Sequence, residues 1–238
     1  MGEEFEDRDL SESVFWGVNL QNTTFRDANV SGSTFFHTLW NNVSIDGVVD
    51  GLVINGVDVT EYVNRNDRWY PLRTQLEPQT REELVTAWQT IDGDWAKVIA
   101  WAKTNPEKVD VSVNGEWSLL DTFRHLLFAM DKWFSVPVMG ESSFTECALP
   151  NTGSQGREWP GLELSAAPSF DQVLALRTEH SNRFAQHIRN LDIAGLPETV
   201  EVPENGTVPT LMCFHVVLEE EFEHLRYMIR DLSGLGFN

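Results

Sequence analysis

The sequence predicts an α+β chain of two parts, a short solenoid built from five-residue repeats followed by an up-and-down four-helix bundle. Two observations lead to this prediction. Large apolar residues recur at every fifth position through residue 45, and a period of five fits neither an α-helix nor a flat strand. Beyond residue 77, four segments carry apolar residues at helical spacing, and each follows a helix-start signal.

The repeat consists of nine apolar residues at unbroken intervals of five. They are Phe5, Leu10, Phe15, Leu20, Phe25, Val30, Phe35, Trp40 and Ile45. Polar turn formers such as Asp9, Asn19 and Asn29 lie between them. We therefore expect residues 1–60 to form a square solenoid whose central apolar side chains point inward. Residues 51–60 alternate apolar and polar types around an Asn-Gly pair, which predicts a closing strand or hairpin.

Residues 27–31, Asp-Ala-Asn-Val-Ser, come closest to the pattern Ala-Asp/Asn-Leu-x-x. Through this pattern the segment resembles the pentapeptide-repeat family, and the resemblance implies a right-handed quadrilateral β-helix of two to three coils. Some acidic members of that family mimic DNA, but they are far longer than this stretch. A packing or dimerisation module is therefore the preferred interpretation, and it leaves a homodimer open.

The helical part is predicted to span residues 78–238, after a linker at residues 61–77 that loses both periods. Its four helices are predicted to start at Thr80, Ser118, Ser169 and Thr210. The connection from about residue 137 to 168 is long and rich in Pro, Gly and Ser. Loops of this length are uncommon unless they serve a function, so we expect this one to cover a pocket at one end of the bundle.

The chain is strongly acidic, with 17 Lys and Arg against 37 Asp and Glu and a formal net charge of −20. Such a charge argues against nonspecific nucleic-acid binding and against attraction to an anionic membrane surface. The N terminus lacks a secretory signal, and no run approaches the roughly 20 apolar residues needed to span a bilayer. Two cysteines suit a reducing compartment. We therefore expect a cytoplasmic protein without nucleic acid or membrane partners.

Three side chains capable of binding a metal interrupt the apolar helix faces: His125 in the second helix, and Glu220 and His224 in the last. Their spacing of four places Glu220 and His224 one above the other on one helix face. A third ligand from a neighbouring helix would complete a site with open positions, suited to zinc, iron, nickel or manganese. His215 and Glu219 share the spacing, so periodicity leaves the inward face open. A solvated acidic face is the alternative interpretation.

Residues 117–133, which include Phe-Arg-His-Leu-Leu, and residues 219–232, which include Glu-Glu-Phe-Glu-His, carry a resemblance to a known family. Through them the helical part resembles the DinB-like superfamily of metal-binding four-helix proteins. Within it, the closer similarity is to the branch that contains mycothiol-dependent maleylpyruvate isomerase. That branch supplies His from the second helix and Glu-x3-His from the last. The resemblance thereby implies His125, Glu220 and His224 as metal ligands.

The resemblance also implies a divalent metal, zinc foremost and nickel, iron or manganese otherwise, that activates a low-molecular-weight thiol as cosubstrate. The thiolate would attack a small electrophile in an S-transfer, isomerisation or hydrolysis. Arg226, Tyr227 and Arg230 are candidates for binding an anionic substrate or the thiol, although arginine near a helix C terminus usually contacts the helix dipole. Two other classes of function remain open. The protein is then either a non-enzymatic metal-binding stress or sensor protein, or an interaction module presented by the solenoid.

Overall fold

The computed structural model describes residues 3–5, 8–25 and 28–237. It divides the chain into two compact units, Met1–Val48 and Val49–Asn238. None of the helices in the described part of the chain has both the length and the apolar character needed to cross a membrane.

The first unit is a series of turns that repeat every ten residues. The main-chain N–H groups of Ser13, Thr23 and Ser33 each donate to the carbonyl three residues earlier. The side-chain oxygens that accept from the N–H two residues onward belong to Asp9, Asn19 and Asn29. These are the polar turn formers noted in the repeat. They satisfy main-chain donors locally, and this keeps the segment in turns.

The predicted solenoid interior is absent from the described residues of this unit. All nine apolar residues of the repeat, Phe5 to Ile45, retain 44–66% of their accessible surface, and no strand occurs in the described residues up to 48. The main-chain hydrogen bonds found there join residues three apart, with none between residues one coil apart. Solenoid units bury their faces only by stacking on neighbours, so local turns without such bonds leave the apolar side chains exposed. Residues 27–31, the best match to the repeat pattern, begin outside the described residues.

The second unit opens with the predicted hairpin. Strand β1 (Val53–Ile54) pairs antiparallel with β2 (Val57–Asp58) around a turn whose residues Asn55 and Gly56 both have positive φ. Two short helices follow, α1 (Thr60–Asn66) and α2 (Tyr70–Arg73), within the segment expected to be a linker. Leu72 of α2 is buried in the core, so this segment packs as part of the unit.

Four long helices form most of the second unit: α3 (Arg81–Thr104), α4 (Leu119–Met130), α5 (Phe170–Arg189) and α6 (Thr210–Ser233). Both α3 and α4 pack on α5 and on α6, so the four helices enclose one core. A π-helical turn, Asp131–Ser135, extends α4. A hairpin of β3 (Thr199–Val202) and β4 (Gly206–Pro209) leads directly into α6.

Three of the four long helices begin at the predicted capping residues, whereas α6 begins at the predicted Thr210 without a side-chain cap. Thr80 accepts a hydrogen bond from the Glu83 N–H at 3.2 Å, and the Glu83 carboxylate accepts from the Thr80 N–H at 3.0 Å. Ser169 forms the same reciprocal box at the start of α5. Ser118 accepts from the N–H three residues onward at the start of α4. These bonds satisfy donors that have no partner within the helix, and they therefore set where each helix begins.

The connection between α4 and α5 is a packed layer. Its side chains Phe144, Ala148 and Trp159 are buried. The Phe128 ring of α4 lies 5.5 Å from the Phe144 ring and 4.8 Å from the Trp159 ring, measured between centroids. The connection is therefore held against α4 by aromatic contacts along the helix that carries His125.

Candidate metal centre

His125, Glu220 and His224 come together where α4 faces α6, and we call them the triad. One potential ligand atom from each residue lies within 4.8 Å of the other two. His125 is buried, and the other two side chains are partly buried. The competing pair does not join them: His215 Nε2 instead lies 2.9 Å from the Pro78 carbonyl oxygen. Of the two equally spaced pairs on α6, the tertiary structure turns Glu220 and His224 toward His125.

The His125 ring is oriented by the connection between α4 and α5. Its Nδ1 lies 3.0 Å from the carbonyl oxygen of Leu149. A carbonyl oxygen can only accept, so Nδ1 carries the hydrogen and the neutral ring has a lone pair on Nε2. Nε2 lies 3.4 Å from Oε2 of Glu220. An ionised carboxylate is also an acceptor, so these two atoms attract each other only through a shared proton or a cation.

His224 is oriented in the same way within its own helix. Its Nδ1 lies 2.9 Å from the main-chain oxygen of Glu220, so Nδ1 donates and the lone pair of the neutral ring is on Nε2. Burial lowers the pKa of His224, and the neighbouring His125 lowers it further, against the opposing charge of Glu220. His224 is therefore held in the neutral form that binds metals.

Glu220 is held in the complementary charged form. Burial alone would raise its pKa, but the hydrogen bond and positive charge that His125 supplies when it is protonated, together with the charge of protonated His224, outweigh burial and lower the pKa. A neutral imidazole and an ionised carboxylate are the protonation states that a metal ligand set requires. The triad can therefore offer two imidazole nitrogens and one carboxylate oxygen to a cation.

Aromatic rings line the triad. The Trp117 ring lies 4.8 Å from that of His125, and it stands 6.2 Å from that of His224 with 18° between the planes. The Tyr227 ring lies 6.3 Å from that of His224. Trp117 is partly buried, whereas Tyr227 is exposed, so the triad is bordered by one ring from within the unit and by one ring at its surface. Sequence reasoning missed Trp117, and its one available signal is its position directly before Ser118, the N-cap of the helix that carries His125.

The two arginines proposed for ligand binding are engaged with carboxylates of α6. Arg226 is buried and lies 3.2 Å from Glu223. Arg230 contacts the two carboxylate oxygens of Asp231 at 2.7 and 3.0 Å. Both guanidinium charges are thereby balanced within the helix. The third member of the predicted trio, Tyr227, contacts the triad through its ring, which lies beside that of His224.

A buried ion pair stands next to the triad on α6. Arg177 of α5 contacts both oxygens of Glu221 at 2.7 Å, and the two side chains are 6% and 2% exposed. The Trp95 indole of α3 donates to the main-chain oxygen of Glu221 at 3.2 Å. These contacts direct Glu221 toward α3 and α5, so its neighbour Glu220 is free to face α4.

A second polar cluster connects the π-helical turn to α5. His180 Nε2 lies 3.0 Å from Asp131, and the Thr145 N–H donates to the same carboxylate at 2.7 Å. His180 Nδ1 lies 2.9 Å from the Leu176 carbonyl oxygen, so both ring nitrogens face acceptors. Burial alone would lower the pKa of His180, but the hydrogen bond and charge of Asp131 outweigh it and raise the pKa. The pair holds the start of the connection against α5.

The expected pocket under the connection does not include the triad. The connection lines a surface cavity of about 310 Å³ together with Pro203 and Glu204, and its walls include Phe144 and Trp159. Glu204 accepts from Lys132 and from Ser154, and both contacts lower its pKa despite the opposing effect of burial. The Glu204 carboxylate of this cavity is therefore paired with a cation, and the triad lies outside the cavity lining.

Comparison with known proteins identifies a family. The sequence profile of a family described as the DinB superfamily matches residues 75–228, which is more than half of the chain and includes the whole triad. Neither the curated proteins nor the solved structures give a significant match.

Proposed function

Since the chain belongs to the DinB superfamily, we propose that its second unit, folded as an up-and-down four-helix bundle, binds a divalent metal ion through His125, Glu220 and His224. The observation that carries the proposal is the approach of His125 Nε2 to Glu220 Oε2 at 3.4 Å. Because Nδ1 of His125 donates to the Leu149 carbonyl, Nε2 of the neutral ring is an acceptor, and so is Oε2 of Glu220. A divalent cation would turn this repulsion into two ligand bonds.

The donor set fits such an ion. Two imidazoles and one carboxylate suit zinc foremost, and nickel, iron or manganese as alternatives. Three protein ligands leave positions open for an exogenous molecule. Bound there, the metal would act as a Lewis acid and lower the pKa of a coordinated thiol or water. The chain's own residues orient the imidazoles through main-chain carbonyls, and the Trp117 ring lies beside both imidazole rings.

The reaction that we propose is thiol-dependent S-transfer, isomerisation or hydrolysis on a small electrophile in the cytoplasm. The order of His125 on one helix and Glu-x3-His on the last supports this, because it matches the mycothiol-dependent isomerase branch. Both cysteines of the chain, Cys147 and Cys213, are buried free thiols. A thiol nucleophile would therefore come from a cosubstrate. Tyr227 is the residue best placed to contact it, since Arg226 and Arg230 are paired with carboxylates.

Metal analysis of the purified protein tests the ligand assignment. We expect one equivalent of divalent metal in the wild type and in His215→Ala, because His215 shares the spacing but contacts Pro78 instead of the triad. We expect the metal to be lost from His125→Ala and from Glu220→Ala. Equal metal content in all four proteins would show that the ligand assignment is wrong. The contact between His125 Nε2 and Glu220 Oε2 would then be explained by an ion pair between a protonated His125 and the Glu220 carboxylate.

A second measurement separates thiol chemistry from metal storage. The wild type is loaded with Co²⁺, and a low-molecular-weight thiol is added while the near-ultraviolet spectrum is recorded. Coordination of the thiolate produces a new sulfur-to-cobalt charge-transfer band, which we expect for the wild type and not for Glu220→Ala. A loaded protein that gives no band with any small thiol would argue for the non-enzymatic metal-binding alternative.

A further inference from the structure

We propose that Arg124 is a positioning residue for His125, and that it acts by holding the Leu149 carbonyl against the imidazole. The inference deepens the proposed function, since it concerns how one of the metal ligands is oriented. Arg124 directly precedes His125 on α4, and its side chain is 12% exposed. Its positive charge is adjacent in sequence to His125, yet its guanidinium contacts the connection between α4 and α5 and not the triad.

The guanidinium of Arg124 holds two separate points of the connection between α4 and α5. Its Nε donates to the Cys147 carbonyl at 2.9 Å, and Nη2 donates to the Ala166 carbonyl at 3.3 Å. These acceptors are 19 residues apart in the chain. The planar, rigid fork of a guanidinium can bind two carbonyls in fixed directions, which a lysine ammonium cannot reproduce. One side chain therefore sets the position of residues 147–149 relative to α4.

Leu149 then forms a two-point contact with two consecutive residues of α4. Its N–H donates to the main-chain oxygen of Arg124 at 3.0 Å, and its carbonyl accepts from His125 Nδ1 at 3.0 Å. The next residue is Pro150, which restricts Leu149 to extended backbone conformations and so limits the direction of its carbonyl. The Arg124 clamp and the proline together make the Leu149 oxygen a fixed acceptor.

A fixed acceptor on Nδ1 selects both the tautomer and the rotation of the His125 ring. Without it, the hydrogen can move to Nε2, and the lone pair then no longer faces Glu220. The groups that orient a metal-binding histidine commonly change metal affinity by about 10- to 100-fold when they are mutated. Arg124 is one contact further removed from the metal, so we expect a loss toward the lower end of that range.

The first arm of the test reads the tautomer directly and needs no metal. The metal-free protein is labelled with ¹⁵N-histidine, and long-range ¹H–¹⁵N spectra are recorded at about pH 8, where imidazoles are neutral. The His125 signals are assigned by their loss in His125→Gln. We expect a single tautomer with the hydrogen on Nδ1 in the wild type, and averaged nitrogen shifts in Arg124→Gln. An Nδ1–H tautomer that persists in Arg124→Gln would overturn the inference.

The second arm measures zinc affinity by competition with a chelating dye. We expect Arg124→Gln to bind zinc about 10-fold more weakly, and Arg124→Lys to fall in between, since an ammonium can reach one carbonyl. The matched control is Arg183→Gln, which removes the same charge and breaks the contact of Arg183 with Glu141 in the same connection. We expect the control to bind zinc as the wild type does. Equal affinity in the wild type, Arg124→Gln and Arg124→Lys would overturn the inference.

The two arms separate failure of this inference from failure of the proposed function. If the wild type binds no zinc but the single His125 tautomer is lost in Arg124→Gln, the metal site is refuted and the positioning role is supported. If the wild type binds zinc but Arg124→Gln keeps the single tautomer, the metal site is supported and the positioning role is refuted. Circular dichroism identifies a variant that fails to fold, in which case Arg124→Lys carries both arms.

Discussion

Arg177 and Glu221 form a bidentate ion pair between α5 and α6, with both N···O distances at 2.7 Å and almost no exposure to solvent. Glu221 adjoins Glu220 in the chain, and successive residues on a helix point about 100° apart. Anchoring Glu221 toward α5 therefore sets the rotation of α6 at the point where Glu220 must face His125. The pair thus links the stability of the second unit to the geometry of the triad.

We predict that Glu221→Gln destabilises the protein strongly, because it leaves Arg177 buried without its counter-charge. Removing one partner of a buried ion pair typically costs about 3–5 kcal/mol in the free energy of unfolding. Urea denaturation followed by circular dichroism measures this value. The control is Glu61→Gln, which breaks the exposed pair of Glu61 with Arg65 and should leave stability unchanged. A loss in Glu221→Gln no greater than that in the control would contradict the structural role of the pair.

We predict that the His180–Asp131 pair stabilises the fold most at mildly acidic pH. The pKa of His180 is raised in the folded state, so the folded state holds this proton more tightly than the unfolded state does. The contribution is complete below the ordinary histidine pKa of about 6.5 and is lost as the pH rises through the folded value. The difference in unfolding free energy between the wild type and His180→Gln should therefore shrink as the pH rises from about 6.

Urea titrations at several pH values measure that difference for both proteins. His37→Gln serves as the matched control, since His37 belongs to the first unit and is exposed. The pH dependence measured for His180→Gln is compared with that of this control. If the stability advantage of the wild type over His180→Gln stayed constant or grew toward alkaline pH, the sign of this prediction would be wrong.

We predict that neither cysteine reacts with thiol reagents in the folded protein near neutral pH. Burial raises the pKa of the Cys213 thiol to about 11, and burial also raises that of Cys147. Because the thiolate is the reactive form, both groups remain protonated and shielded. A thiol-disulfide assay should count no accessible thiol before urea is added and two afterwards. Rapid labelling of the native protein would contradict this, and it would provide an internal nucleophile instead of an exogenous thiol.

We predict that Trp117 reports metal binding through its fluorescence. Its ring lies 4.8 Å from that of His125 and 6.2 Å from that of His224, so a paramagnetic ion held by the triad would quench it efficiently. Addition of Co²⁺ should quench part of the emission of the nine tryptophans in the wild type. The quenched part of the emission should disappear in Trp117→Phe. It should persist in Trp101→Phe, because the Trp101 ring packs on Phe237 instead of on the triad. Undiminished quenching in Trp117→Phe would place the ion away from the triad.

The helix starts in the second unit were predictable from short stretches of sequence. Thr80 and Glu83 satisfy each other's donors within one turn, and Ser169 does so with Gln172, so the partners are encoded three residues apart. Glu220 and His224 likewise share a helix face because they are four residues apart. For the same reason the hairpin around Asn55 and Gly56 could be predicted from its turn residues.

The five-residue repeat shows where such local reasoning ends. Its period is a property of the sequence, but a solenoid also needs hydrogen bonds between coils, and those join residues far apart in the chain. In the described residues of the first unit, Asp9, Asn19 and Asn29 satisfy the main chain locally instead. The periodicity therefore correctly located repeated turns but did not predict that the apolar side chains would be exposed.

The composition of the triad could be read from the sequence, whereas its assembly depended on tertiary packing. Periodicity could not choose between Glu220 with His224 and His215 with Glu219; the packing of α6 on α3 and α4 made that choice. The tautomer of His125 depends on Leu149, 24 residues away, and its contact with Glu220 spans 95 residues. Interactions within one helical turn are specified by neighbouring residues, but these longer contacts form only once the helices and the connection have packed together.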